Sequence, residues 1–172
     1  MSDVITLVAS LSSFFRISLS HGIDFIPIRD EIEHVRNYLV IQQIRYSDVL
    51  SYEIKVDDDM PNVKILKLLL QPLVENSLYH GIKNTRERGK ITVSIEKEGG
   101  KLRFAVADNG IGMKPDVLDA LRHEINYGTG EKGYGLFNVN RRLKLFYGLQ
   151  DGIEIESEYR KGTKVSFVLD LV

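Results

Sequence analysis

The sequence contains no cysteine. Disulfides, thiolate zinc sites and cysteine nucleophiles are therefore excluded, and a reducing compartment suits the composition. Charge of neither sign dominates: 23 Lys and Arg stand against 24 Asp and Glu, giving a formal net charge of −1, and no block of like charges occurs. Sequence-independent attraction to nucleic-acid backbones needs a basic excess, so no nucleic-acid partner is expected. Long hydrophobic runs are missing too. The apolar stretch from Val4 to Phe15 is interrupted by Thr and Ser, and it falls short of the roughly 20 apolar residues that cross a bilayer. An acidic residue, Asp3, stands where a secretory signal would be basic. The chain as given is expected to be soluble. Neither a G-x-x-x-x-G-K-[ST] loop nor the eukaryotic-type kinase signature set occurs, which removes the two commonest nucleotide-phosphate sites.

What is present suffices for one well-buried domain with a helical appendage: 172 residues, 43% of them hydrophobic. Val4, Leu7, Val8, Leu11, Phe14 and Phe15 recur mostly at spacings of three and four, predicting an amphipathic helix to Leu19 that His21-Gly22 stops. So apolar a helix needs a partner, either the next helix or the same helix of another chain. A second helix is predicted from Asp30 to Arg45 after the Pro27 turn. Strands follow at 51–56, 90–96, 101–108, 152–159 and 163–171, with Gly99-Gly100 and Lys161-Gly162 as hairpin turns. Helices are predicted across Val63–His80, around Val117–Arg122 and from Gly135 to Tyr147. The expected fold is an α/β (α+β) sandwich, a mixed β-sheet with helices on one face, preceded by an N-terminal helical segment. The division expected is residues 1–46 for that segment and 47–172 for the domain. There is no internal repeat or low-complexity segment.

Three stretches carry candidate chemistry. In LLLQPLVENSLYHGIK, Asn76, Tyr79, His80 and Lys83 share one helix face at i, i+3, i+4 and i+7, opposite a leucine stripe. Such a face is either ordinary solvated surface or a ligand wall. Asn76 offers a neutral oxygen suited to magnesium, one turn from a ring that can pack on a base. In AVADNGIGM a strand ends on Asp108, followed by Asn109-Gly110-Ile111-Gly112. Asn-Gly alone marks a hairpin turn, but MKPDVLDAL reads as loop and helix, so no strand returns. A carboxylate beside permissive glycines suits an adenine amino group. In GTGEKGYGLFNVNRRL, Gly133 and Gly135 lead into a helix whose N-terminal amides attract anions. A literal G-x-G-x-x-G at Gly128, Gly130 and Gly133 has no buried strand feeding it, which counts against a dinucleotide fold.

Taken in order, the asparagine helix, DNGIGM, GYGLFNV and GTKVSF resemble the ATP-binding domain shared by sensor histidine kinases, gyrase-type ATPases and chaperone ATPases. LQPLVENSLYHGI and GLFNVNRRLKLFYG are closer still to the YesM/LytS-like sensor histidine kinases of bacterial two-component systems. LSSFFRISLS and IRDEIEHVRNYLVIQQIRYSD also resemble that family's segment before the catalytic domain, so the likeness covers nearly the whole chain. It implies ATP and Mg2+ as cofactors, with Asn76 on the metal and Asp108 on the adenine amino group. Gly110 and Gly112 would form the adenine-side loop, Gly133 and Gly135 the lid near the phosphates, and Thr163 would support the adenine end. Tyr79 stands where many relatives have a phosphate-contacting lysine, leaving that role to Lys83 or to a lid residue such as Lys132. His80 is expected to line the pocket rather than accept phosphate.

In gyrase-like ATPases a water-activating glutamate precedes the asparagine by one turn, and Pro72 occupies that position here. Phosphoryl transfer is thus expected over hydrolysis. Glu75, next to Asn76 but about 100° round the helix, is a weaker candidate for a catalytic carboxylate. The family's phosphorylated histidine lies in a P-H-F-like segment, and none of His21, His34, His80 or His123 has that context. The resemblance therefore implies a catalytic portion, lacking its acceptor, of a sensor anchored in the inner or plasma membrane through upstream segments, with this part cytoplasmic. The whole protein would be a homodimer that passes its phosphoryl group to a response regulator receiver domain. A non-catalytic nucleotide-binding or dimerisation module is the alternative, and a stand-alone serine kinase of the anti-sigma type is a third, which the long helical N-terminal region and Pro72 oppose.

Overall fold

The computed structural model describes residues 2–19, 24–83, 85, 88–130 and 134–171. Helix α1 (Ser2–Leu19) packs along α2 (Ile28–Arg45), and the short strand β1 (Phe25–Pro27) precedes α2. Then come β2 (Leu50–Val56), β3 (Lys64–Leu66), α3 (Gln71–Asn76), which runs on as a π-helical stretch (Ser77–Ile82), and the hairpin β4 (Gly89–Glu98) and β5 (Lys101–Asp108). Helices α4 (Pro115–Tyr127) and α5 (Tyr134–Tyr147) and the hairpin β6 (Glu154–Glu158) and β7 (Gly162–Asp170) complete the order. No helix among the described residues is long and apolar enough to cross a membrane.

The main sheet runs β2-β4-β5-β7-β6, with β2 parallel to β4 and every other neighbour antiparallel. It is the mixed sheet expected. Strict alternation buries Ile91, Val93 and Ile95 of β4, and Leu102, Phe104, Val106, Val165, Phe167 and Leu169 of β5 and β7 lie in the same core. The cross-strand pair Phe104 and Phe167 stacks with centroids 4.8 Å apart. Against this face pack Val35 and Leu39 of α2, Leu73, Leu78 and Ile82 of the asparagine helix, and Leu136, Val139 and Leu143 of α5. Thr92, Ser94 and Lys164 point the other way.

Three expectations need correction. The helix expected across Val63–His80 begins only at Gln71, because residues 64–66 instead pair with β1 and Leu68 has a positive φ of 58°. Buried Glu31 of α2 captures the backbone between: Oε1 accepts from Leu69 and Leu70 N–H at 2.8 and 2.9 Å, and Oε2 from Leu68 N–H at 2.8 Å. Arg142 of α5 donates to Lys67 and Leu68 carbonyls at 2.6 and 3.0 Å, and the Tyr147 hydroxyl accepts from Leu66 N–H at 2.7 Å. With its backbone groups so matched, the turn needs no helical hydrogen bonds. Secondly, α4 reaches from Pro115 to Tyr127, beyond the expected 117–122, with Pro115 in its first turn. Thirdly, β1 and β3 were not expected, three residues being too few for a period-two signal. The stop signal His21-Gly22 lies outside the described residues.

Candidate functional site

The site forms where the C-terminal end of β5 meets the π-helical stretch. Lys83 N–H bonds to the Leu78 carbonyl at 3.0 Å, an i to i+5 bond that widens the helix just past Asn76. This widening brings Gly81 against Asp108. A Cβ at Gly81 would sit 2.6 Å from Asp108 Oδ1, and one at Gly110 would strike the Gly81 backbone. Only two glycines allow the strand end and the helix to touch, and Ile111 N–H seals the contact on the Gly81 carbonyl at 3.1 Å. Gly112, at φ 60°, turns the loop back beneath the Glu158 carbonyl.

Asp108 is 8% exposed. Its Oδ1 accepts from Gly110 N–H at 2.9 Å, while Oδ2 is buried without a partner. Burial pushes the carboxyl above its usual range, and the Gly110 N–H, with Ser77 and Thr163 nearby, moderates the rise. Of these three, only Gly110 makes a hydrogen bond of good geometry, since Ser77 Oγ is itself buried without one. Thr163 is the cross-strand partner of Asp108 and its hydroxyl lies 2.9 Å from Ser157 Oγ. A buried acceptor atom with an unused lone pair is what an exocyclic amino group would fill.

Above this floor lies a cavity of about 690 Å³ lined by Asn76, His80, Gly81, Gly112 and Thr163, with Met113, Val117, Ala120, Leu121 and Glu124 forming its far wall. A second, of about 360 Å³, is lined by Glu75, Asn76, Tyr79 and His80 on one side and Tyr134 and Gly135 on the other. Asn76 and His80 border both, so the two form one trough from Gly81 and Thr163, the neighbours of Asp108, to the start of α5. The trough is large enough for a nucleotide, mainly apolar at the first end and mixed at the second. Among the described residues the Asn76 amide has no hydrogen-bond partner, and no cluster of three or more His, Cys, Asp or Glu side chains converges to hold a metal. Magnesium here would rest on Asn76 and on ligand oxygens, the usual arrangement for that ion.

Lys83 lies over the rings of Tyr46 and Tyr79, at 5.0 and 4.8 Å, and lines neither cavity. Lys132 and Gly133 lie outside the described residues. The α4 wall and Gly81 were missed in the sequence. A glycine inside a helix, costing about 1 kcal/mol against alanine, was the signal available for Gly81. Another groove, of about 580 Å³, borders β6 and β7, and its cationic groups are each paired: Lys101 with Asp170, Arg103 with Glu98, Arg122 with Asp119.

The family model for the histidine kinase-, DNA gyrase B-, and HSP90-like ATPases matches residues 62–172, and a histidine kinase model matches residues 2–50. Sensor histidine kinase YpdA of Escherichia coli K12 is 36% identical over 95% of this chain, and sensor histidine kinase YesM of Bacillus subtilis 168 is 33% identical over 92%. The chain spans only 28% and 26% of those curated relatives. The histidine kinase domain of the Erythrobacter litoralis EL346 blue-light activated kinase shares the fold, with a TM-score of 0.61 at 18% identity, covering 99% of this chain and 76% of that one.

Proposed function

This chain belongs to the histidine kinase-, DNA gyrase B-, and HSP90-like ATPase family, and from that premise we propose that it is the catalytic unit with which a sensor histidine kinase takes the γ-phosphoryl group from ATP. The observation that carries the reading is the buried, unpartnered Oδ2 of Asp108, set against Gly81 and beside Thr163, which line one end of a trough that Asn76 borders at its middle. Adenine would donate its amino hydrogen to Asp108 with Thr163 beside it, and Gly110 and Gly112 would let the loop close on the base. Asn76 would hold magnesium on the phosphates, and the amides at the start of α5, near Gly135, would face the phosphate oxygens. Magnesium neutralises charge on the transferring group when bound.

Transfer breaks the bond between the γ-phosphorus and the β,γ-bridging oxygen, forms one to an imidazole nitrogen, and leaves ADP; the phosphoryl group then moves to an aspartate of a response regulator receiver domain. The chain's part is positioning. Pro72 stands one turn before Asn76 and Glu75 accepts a hydrogen bond from Gln71 at 2.8 Å, which supports transfer over water activation. His34 is fully buried and His80 lines the trough, while His123 packs on Tyr127. We assign the acceptor to a different histidine; His21 lies outside the described residues. Stable radiolabel on this chain after incubation with γ-labelled ATP alone would sink that assignment. The domain division 1–46 and 47–172, homodimerisation, and a cytoplasmic placement in a membrane-anchored sensor belong to the same proposal for the whole protein. Recovery of that protein away from the membrane fraction would remove the anchoring.

The test is calorimetric titration of this chain with the non-hydrolysable analogue AMPPNP, with and without magnesium, alongside Asp108→Asn. Binding strengthened by magnesium and weakened at least about tenfold in the variant is expected, the worth of a hydrogen bond to a charged group. Equal affinity in both proteins would overturn the adenine assignment. No binding in either would favour the non-catalytic module, for which the exposed apolar face of α1 supplies a pairing surface.

A further inference from the structure

Helix α1 is linked to the phosphate end of the trough by side chains the proposed chemistry does not use. Phe14 stacks on His34 of α2, ring centroids 4.4 Å apart and planes 16° from parallel. His34 Nε2 lies 2.6 Å from Gln71 Oε1, and the Gln71 amide nitrogen donates to Glu75 Oε1 at 2.8 Å. The direction of this chain is fixed from its far end. A carboxylate only accepts, so Gln71 presents its nitrogen to Glu75 and its oxygen to His34, and His34 Nε2 must carry the hydrogen. Glu75 in turn walls the cavity that Asn76, Tyr134 and Gly135 share.

A packing role alone does not explain His34. It is 0% exposed, and its Nδ1 is buried without a partner. An apolar ring would avoid that unmet polar atom. What an apolar ring cannot do is hand an N–H to Gln71.

We propose that His34 is a positioning residue for the phosphate end of the nucleotide site: through Gln71 it fixes the Glu75 carboxylate beside Asn76, and its stacking against Phe14 makes that placement depend on α1. A shift of α1 along α2 tilts the ring, lengthens the 2.6 Å bond and frees Glu75 to turn. The inference rests on the nucleotide reading above and adds a route by which the N-terminal helices govern it.

The experiment compares Mg·AMPPNP with AMP, which reaches only the adenine end, by calorimetry on the 172-residue chain. His34→Phe keeps a ring for Phe14 and removes the donor; it is expected to weaken Mg·AMPPNP about fivefold or more while AMP changes by less than about twofold. His34→Gln, which restores an N–H donor, is expected to recover most of the loss. Gln71→Met, at a half-buried position, is expected to repeat the selective loss and decides the matter if His34→Phe fails to fold. Unchanged Mg·AMPPNP affinity in both variants, or equal loss of both ligands, overturns the positioning role. A silent Phe14→Ala beside a selective His34→Phe overturns the dependence on α1. Wild-type chain that binds neither ligand overturns the nucleotide reading itself, a result distinct from either.

Discussion

In the proposed site, Asp108 sets ligand binding against stability. Its carboxyl is raised by burial in the folded chain, so the folded state holds that proton more tightly than the unfolded state does. The stabilisation tied to the proton is fully present below the ordinary carboxylate pKa of about 4 and is lost as pH rises through the folded value. Asp108→Asn removes the buried charge. Thermal melts of the ligand-free variant are expected to fall no lower than wild type at neutral pH and to vary less with pH across the weakly acid range; a clear drop at neutral pH would show that desolvation is not the main cost. Glu31, raised by burial against three N–H bonds, keeps part of the slope in both proteins. The place of Asp108 at the end of β5, before a loop and not a returning strand, was legible in the sequence, because MKPDVLDAL does not read as a strand. Gly81 was not, because its need arises only when Gly110 arrives from elsewhere in the chain.

At the scale of elements, the turn before α3 shows where local reading stops. The leucine pattern from Leu66 to Leu73 is helical by spacing, yet its start is decided by Glu31, Arg142 and Tyr147, each from a distant helix. The hairpins were legible because Gly99-Gly100 and Lys161-Gly162 join strands that pair with their own neighbours. Glu31→Ala is expected to cost about 3 kcal/mol or more in urea unfolding, since it leaves three N–H groups unmet, two of them buried and one half-buried. Glu31→Gln, retaining one acceptor oxygen, is expected to fall between. A loss under about 0.5 kcal/mol in Glu31→Ala would mean that water or a rearranged turn satisfies those groups.

For the whole molecule, α1 meets the first reading of its apolar stripe, packing on the next helix, and leaves a surface for the second. One face lies on α2 through Phe14, and the other leaves Val4, Val8, Leu11 and Phe15 exposed at spacings of four, three and four. That is the seam of a two-helix coil. Sedimentation of this chain is expected to show a dimer that Leu11→Glu dissociates; a wild-type monomer at high concentration would leave the seam to another partner. The opposite border of the sheet has the reverse character. Strand β6 is an edge, and its exposed positions are Glu154, Glu156 and Glu158. Glu156 and Glu158 are paired with Lys164 and Lys161 of the same hairpin, so a second copy adding its own β6 there would have to pack charged side chains against charged side chains along the shared ladder. The molecule thus offers other chains an apolar helix at one end and, at the other, a strand whose charge discourages the runaway stacking from which aggregates grow.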